Sequence, residues 1–199
     1  MLYASAPGWR GSRANDEFLP GRWSNGKTRC DSIDLYQKGR GMMQKITPCL
    51  WFDTEGEEAA RFYTSVFPNS RIVDIAHYGE AGPRHEGMVM AVSFELDGQK
   101  FVALNGGPEF TFDEAISFQV PCESQEEVDA YWSTLSADGK EGPCGWLKDK
   151  FGVSWQIFPT VLIELLGDPD REKSQRVMRA MLSMKKIEID ALERAAAEV

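Results

Sequence analysis

The chain has 199 residues, 42% of them hydrophobic and 11% aromatic, which is enough to bury a sizeable core. Its formal net charge of -9 argues against a nucleic-acid surface, because phosphate binding begins with a cluster of basic residues. No stretch approaches the ~18 consecutive apolar residues of a membrane span, and the start of the chain lacks the apolar core of a secretory signal. We therefore expect a cytoplasmic globular protein that binds neither nucleic acid nor membranes. The four cysteines form no CxxC pair, which favours reduced thiols.

Residues 1–41 differ from the rest of the chain in composition. They contain seven basic and four acidic residues, and their apolar residues follow neither a helical nor a strand period. This pattern predicts a disordered extension. Met42 and Met43 directly precede the first clear strand pattern, which suggests that translation starts there and that the upstream stretch is a gene-model artefact. A targeting segment is the alternative, although acidic residues are atypical of transit peptides.

A first module is predicted over residues 43–110. Residues 46–52 have a strand pattern, and the apolar residues of 55–67 recur at helical spacing. Three further strands are expected at 71–78, 87–96 and 100–105, and Asp97-Gly98 between the last two is a hairpin signal.

Residues 111–160 repeat this pattern. A shift of 69 positions lays Glu57-Glu58 on Glu126-Glu127, Phe62-Tyr63 on Tyr131-Trp132, and Val66 on Leu135. Strand patterns at 116–120, near Trp146 and at 153–158 surround the second helix. The repeat predicts an α+β fold of two strand-helix-strand modules whose half-covered sheets bury each other's open faces.

A helical tail is predicted over residues 161–199. Gly167-Asp168-Pro169 is typical of a helix start, with an acidic cap and a proline near the first turn. An apolar stripe follows, which indicates packing on the domain or on a second subunit, with a ligand lid as the alternative. The stripe consists of Val177, Met178, Met181, Leu182, Met184 and Ile187.

Three motifs resemble those of a known family. They are Phe62-Tyr63 after an acidic helix start, the run 104–108 (LNGGP), and above all the run 144–156 (CGWLKDKFGVSWQ). From about residue 43 to the C-terminus, the chain resembles the PhnB-like branch of the glyoxalase, bleomycin-resistance and extradiol-dioxygenase superfamily, which is also called the vicinal oxygen chelate superfamily. Proteins of this branch are often labelled 3-demethylubiquinone-9 3-methyltransferase. The resemblance implies paired βαβββ modules whose curved sheets form a cup, and a homodimer, since half-cups in this superfamily are commonly completed across subunits.

Metal-dependent members of that superfamily place one ligand on the first strand and one on the last strand of each module. Counting from the aligned helices gives the corresponding positions, and none of them is a histidine, cysteine or carboxylate, the groups that hold a divalent ion firmly. We therefore expect no metal site and no cofactor. The positions are Ile46 or Pro48, Leu104 or Asn105, Ala115 or Ser117, and Gln156.

The alternation of side chains along the strands suggests which residues face the cup. Ser117 and Gln119 should face it from the strand at 116–120, and Ser154, Gln156 and Phe158 from the last strand. Polar groups in an apolar cavity fix the orientation of a ligand, so these residues are candidates for ligand binding. The alternative is that Gln156 and Ser117 satisfy each other or a trapped water.

Two more candidates precede the last strand. Trp146 and Lys148 could clamp an aromatic or anionic ligand at the mouth of the pocket. The alternative is a tryptophan in the core and a lysine in solvent. A nucleophilic role for Cys144 is not favoured, because neither of the two histidines is near it in sequence.

Three functions remain after these steps. The first is a metal-independent protein that binds or sequesters an apolar, aromatic or weakly anionic metabolite, as the antibiotic-resistance members do. The second is an enzyme of unknown reaction that uses side chains in place of a metal, although no general base is visible. The third is the methyltransferase of the family label. Here Asp53-Thr54-Glu55-Gly56 stands where a glycine-rich donor loop would be expected.

Overall fold

The computed structural model describes residues 46–198, which contain eight strands and five helices. The first module comprises β1 (Cys49–Phe52), α1 (Gly56–Val66), β2 (Arg71–His77), β3 (Val89–Leu96) and β4 (Gln99–Asn105). The second comprises β5 (Phe118–Cys122), α2 (Gln125–Ser136), β6 (Lys140–Glu141), β7 (Trp146–Lys148) and β8 (Ser154–Pro159). The tail contains α3 (Thr160–Leu166), α4 (Arg171–Leu182) and α5 (Ile189–Ala197). The extension predicted at 1–41 and the start proposed at Met42 lie outside the described residues.

The two modules have the same topology, which confirms the repeat and the α+β fold. The strand order is β1-β4-β3-β2 in one sheet and β5-β8-β7-β6 in the other. In each sheet the first and last strands of the module pair in parallel, and the other pairs are antiparallel. Each module therefore has a βαβββ order, with its helix connecting the first strand to the second.

The first strand of each module begins later than predicted. Ile46 and Ile116 were placed inside these strands, but they precede them and are 86% and 75% exposed. Buried Leu50 and Phe52 correspond to buried Val120 and Cys122, so the strands are related by an offset of 70. The helices keep the offset of 69, since buried Ala59 and Tyr63 correspond to Val128 and Trp132.

This one-residue difference in offset changes which residues of the first module correspond to the predicted ligand positions of the second. Because successive side chains in a strand point to opposite faces, a slip of one residue exchanges the two faces of a strand. With the offset of 70, the residue of the first module that corresponds to Ser117 is Thr47, which lies between the predicted positions Ile46 and Pro48. Asn105, another predicted position, is 2% exposed, and its Oδ1 accepts a 2.8 Å hydrogen bond from the Gly56 backbone at the start of α1. It serves as a helix cap from a neighbouring strand.

Aromatic side chains join the two modules on the helix-covered side of the sheets. The ring of Trp155 in β8 lies 5.5 Å from Tyr63 and 5.3 Å from Phe67, both at the α1 end of the first module. Phe101 of β4 lies edge-on to Phe118 of β5 at 5.2 Å. These contacts belong to one continuous hydrophobic core that includes residues of both sheets. The modules thus share a core, and the opposite face of the second sheet is left open.

The tail packs on its own chain, one of the predicted arrangements. Val177, Ile187 and Leu192 are fully buried in a second hydrophobic cluster formed largely by α3, α4 and α5. The predicted stripe does not run along one helix: α4 ends at Leu182, and Met184 and Ile187 lie in the connection to α5. Helix α3, which follows β8 without a break, lies in the predicted helical tail but ends before the helix start predicted at Gly167-Asp168-Pro169. Among residues 46–198 there is no helix of the length and apolar character that crossing a membrane requires.

Candidate ligand-binding site

The open face of the second sheet brings the predicted site residues together. Gln119 of β5 and Trp146 of β7 both lie opposite Gln156 of β8, and Lys148 lies opposite Ser154. Residues opposite one another on neighbouring strands project from the same face of a sheet. The register therefore places these five side chains on one face, as alternation predicted for Gln119, Ser154 and Gln156. Whether they contact a ligand stays a prediction.

A short polar network lies at the centre of this face. The Gln156 amide donates a 2.8 Å hydrogen bond to the Ser117 hydroxyl. The Gln119 side-chain amide donates a longer, 3.4 Å hydrogen bond to the side-chain oxygen of Gln156. Gln156 and Ser117, one of the two residues predicted for the other ligand position of this module, are thus in direct contact. They satisfy each other, which is the alternative that the sequence left open.

The donor set at this point does not fit a divalent metal. It consists of a hydroxyl and two carboxamides, which are neutral and already bonded to one another. Firm binding of such an ion needs imidazole, carboxylate or thiolate groups. Within residues 46–198 there is no cluster of three or more His, Cys, Asp or Glu side chains that could hold an ion.

A cavity of about 410 Å³ lies beside the polar network. Its lining includes three predicted residues, Trp146, Lys148 and Ser154, together with Lys140 and Glu114. Volumes of a few hundred cubic ångströms suit a small organic ligand. Trp146 and Lys148 are half-buried, so the tryptophan is neither sealed in the core nor free in solvent. The geometry permits contact of both side chains with one ligand.

The linker between the modules lies against this cavity. Ser154 is 1% exposed, and its hydroxyl donates a 3.3 Å hydrogen bond to the Asp113 carbonyl oxygen. Lys148 Nζ lies 2.9 Å from the Glu114 carboxylate. Sequence reasoning missed Glu114 and Lys140, because it assigned no role to the linker or to the two-residue strand β6. No local pattern in the sequence indicates this pairing, because β5, α2 and β6 lie between Glu114 and Lys148 along the chain.

Phe158 and the tail close one end of the same sheet. Phe158 shares the face of Gln156 by alternation, but it packs against the hydrophobic cluster of the tail. The backbone of Cys144 and Gly145, just before β7, donates to the carbonyl oxygens of Met184 and Lys185 at 2.8 Å and 2.7 Å. The tail therefore holds the segment that leads into Trp146, whereas the linker contacts Ser154 and Lys148 at the other end of the cavity.

Asp149 positions the strand that carries Ser154 and Gln156. Its carboxylate accepts hydrogen bonds from the Phe151 and Val153 backbone amides at 2.9 Å and 3.0 Å, and from the Trp155 indole at 2.8 Å. Tyr63 donates a fourth, from the first module. Burial raises the pKa of Asp149 above the usual aspartate value, while these hydrogen bonds oppose the shift. Sequence reasoning missed this residue, because its contact with the first module is made by Tyr63, which is 86 positions away in the sequence.

Two βαβββ modules of equal strand order, with a polar face on the second sheet, define a protein of the vicinal oxygen chelate fold. The family model described as 3-demethylubiquinone-9 3-methyltransferase matches residues 44–158, and the chain belongs to this family, in its PhnB-like branch.

Solved structures agree with this assignment. The PhnB protein from Bacillus cereus is 42% identical, with a TM-score of 0.54, over 59% of this chain and 100% of that one. A Pseudomonas aeruginosa protein of known crystal structure is 17% identical, with a TM-score of 0.50, over 59% of this chain and 98% of its own, and it supports the fold alone. The chain has no match among curated proteins.

Proposed function

We propose that this chain is a small-molecule-binding protein that holds an apolar, aromatic or weakly anionic metabolite on the open face of its second sheet. The observation that carries the proposal is the cavity of about 410 Å³ beside the neutral Ser117–Gln156–Gln119 network. An indole and an ammonium group, from Trp146 and Lys148, line this cavity and offer a flat apolar surface and a cation. The cytoplasm is the compartment we propose for it.

Binding without a metal is part of this proposal. The side chains at the ligand positions of the second module are neutral, so they can orient a ligand by hydrogen bonds but cannot hold a divalent ion firmly. The test is to purify the protein from its own cells and to measure metal content and bound small molecules by mass spectrometry. We expect a copurified organic compound and less than stoichiometric metal. Stoichiometric zinc, iron, manganese or nickel would overturn metal independence.

The second candidate is methyl transfer, which the description of the family model names. The β1–α1 junction offers little support for a donor loop. The Gly56 amide, at the start of α1, is already bonded to Asn105, and a side chain at Gly56 would meet the same Asn105 oxygen at 2.6 Å. Calorimetric titration with S-adenosylmethionine tests this candidate. We expect no saturable binding, and micromolar affinity would favour the methyltransferase over the binding protein.

We also propose that the protein is a homodimer. The face that carries Gln119 and Gln156 is open in one chain, and Phe110 and Ile116 on the linker are 65% and 75% exposed. A second copy could bury these apolar side chains and supply the opposite wall of a cup. Light scattering at tens of micromolar should give twice the chain mass. A monomer at this concentration would contradict the proposal.

A further inference from the structure

The cavity beside the polar network contains two lysines on one sheet face. Lys140 of β6 lies directly opposite Lys148 of β7, and both line the cavity. Like charges directly opposite each other on neighbouring strands are destabilising. Two carboxylates, Glu114 and Glu141, line the same cavity, so the lysine ammonium groups are open to a ligand anion only where these carboxylates leave or have other partners.

The linker supplies a carboxylate at that site. Glu114 lies 2.9 Å from Lys148 Nζ, and its side chain is 66% exposed while that of Lys148 is 27% exposed. The hydrogen bond from Lys148 lowers the pKa of Glu114, and the charges of Lys148 and Lys140 act in the same direction. The carboxylate thus lies in the field of both lysines, although most of its surface remains in water.

Two other contacts constrain how this carboxylate can leave. The hydrogen bond from Ser154 to the Asp113 carbonyl oxygen holds the linker next to Glu114, so the Glu114 side chain can swing out without the backbone leaving. The cavity also includes Glu141, but this carboxylate accepts from the Trp132 indole at 3.2 Å and pairs with Lys185 at 3.3 Å. Glu141 therefore has its own partners, and of the two carboxylates that line the cavity it is Glu114 that pairs with a lysine of the lining.

We propose that the cavity takes an aromatic monoanion, and that Glu114 is an internal carboxylate which occupies the anion position on Lys148 until the ligand displaces it. The ligand's ring would lie against Trp146 while its anionic group contacts Lys148 and Lys140. This inference rests on the proposed function, and it specifies the charge of the ligand and a competitor built into the linker.

The strength of the ion pair suits this role. Exposed ion pairs contribute little net stability, because water competes with both partners and two long side chains must be ordered. Displacing Glu114 returns to solvent a carboxylate that is already mostly solvated, so the displacement costs little. A ligand anion that is held at the same time by stacking on Trp146 gains contacts that Glu114 cannot make. The competitor would therefore weaken binding modestly without preventing it.

The test compares two fluorescent probes that share an aromatic skeleton. 8-Anilino-1-naphthalenesulfonate carries one negative charge, and N-phenyl-1-naphthylamine lacks the sulfonate and is neutral. In the full chain, Glu114→Gln should tighten binding of the anionic probe by about two- to fivefold, the range expected from removing one exposed ion pair. Binding of the neutral probe should not change. Lys148→Gln should weaken binding of the anionic probe and leave binding of the neutral probe unchanged.

Matched controls come from an ion pair on another surface. Lys150 Nζ pairs with Glu58 at 2.7 Å, away from the cavity lining. Glu58→Gln and Lys150→Gln change the net charge as Glu114→Gln and Lys148→Gln do, and we expect neither to shift the affinity of either probe. If the Glu58 and Lys150 variants shift the probe affinities as much as the Glu114 and Lys148 variants do, the inference is overturned, because the shifts then reflect net charge alone.

The probes also separate the inference from the function on which it rests. If the unmodified chain binds neither probe, the open apolar site is contradicted and the proposed function falls with it. If it binds both probes with the same affinity, and Glu114→Gln changes neither, the binding function stands and the anion site with its internal competitor is overturned.

Discussion

The Tyr63 hydroxyl donates a 2.7 Å hydrogen bond to the Asp149 carboxylate, across 86 positions of sequence. Tyr63 is fully buried on α1, and Asp149 is 3% exposed in the turn before β8. The bond joins the helix of the first module to the strand that carries Ser154 and Gln156. The candidate site is therefore held in place by the contact between modules as well as by its own sheet.

Removing this carboxylate should destabilise the fold strongly. Asp149→Ala leaves the Tyr63 hydroxyl and the Trp155 indole without their acceptor, and we expect a loss of about 3 kcal/mol in the free energy of unfolding. Tyr63→Phe should cost about 2 kcal/mol, because it removes one bond to a charged group. Urea unfolding measures both. In the double variant the costs should be less than additive, and strict additivity would show that the two residues do not act together.

Two glycines near the site allow a matched comparison. Gly145 and Gly152 both have positive φ, at 81° and 86°. A Cβ at Gly145 would lie 2.4 Å from the Ile157 carbonyl oxygen, whereas at Gly152 it would meet nothing within 4 Å. Gly152→Ala should therefore cost about 1 kcal/mol of backbone strain. Gly145→Ala should cost clearly more, since the β7–β8 contact must also shift. Equal unfolding midpoints in urea would contradict this.

The Cys122 thiol should be unreactive in the folded protein. Burial raises its pKa to about 12, and the charges of Glu127 and Glu123 act in the same direction. At pH 8 the group is then almost entirely protonated, and the thiolate is the form that reacts with iodoacetamide. Peptide mass spectrometry should show Cys122 unmodified until urea unfolds the chain. Cys49, which is exposed, serves as the internal control and should be modified before Cys122.

The packing of the tail can be tested with two apolar side chains of the predicted stripe. Ile187 is fully buried in the tail cluster, and Leu182 is 60% exposed. Ile187→Ala should lower the free energy of unfolding by about 3 kcal/mol, because it leaves a cavity. Leu182→Ala should change it by less than about 0.5 kcal/mol in the isolated chain. A large effect of Leu182→Ala would instead indicate that a second subunit covers this side chain.

Much of the architecture could be predicted from local patterns. The helical spacing of Ala59 and Tyr63 recurs at Val128 and Trp132, and Asp97-Gly98 forms the predicted hairpin turn, with φ of 44° and 78°. The boundaries of the first strands were less predictable. Ile46 and Ile116 are apolar, but their exposure depends on the position of the linker and of the other module.

Part of the candidate site could also be predicted from local patterns. Alternation along the strands placed Gln119, Gln156 and Ser154 on one face, because that property depends only on the strand itself. Alternation could not reveal that Glu114 pairs with Lys148, or that Ser154 bonds to the linker. Those contacts depend on where the chain passes after it leaves the first sheet.

The sequence by itself determined the repeated module, the family and the neutral character of Ser117 and Gln156, since these follow from residue identity and periodicity. Only the tertiary structure decided that Tyr63 reaches Asp149, that Lys140 and Lys148 share one cavity, and that Glu114 pairs with one of them. The physical reason is that hydrogen bonds and ion pairs between distant residues act over a few ångströms. Such distances are set by the packing of one module on the other and have no periodic trace in the sequence.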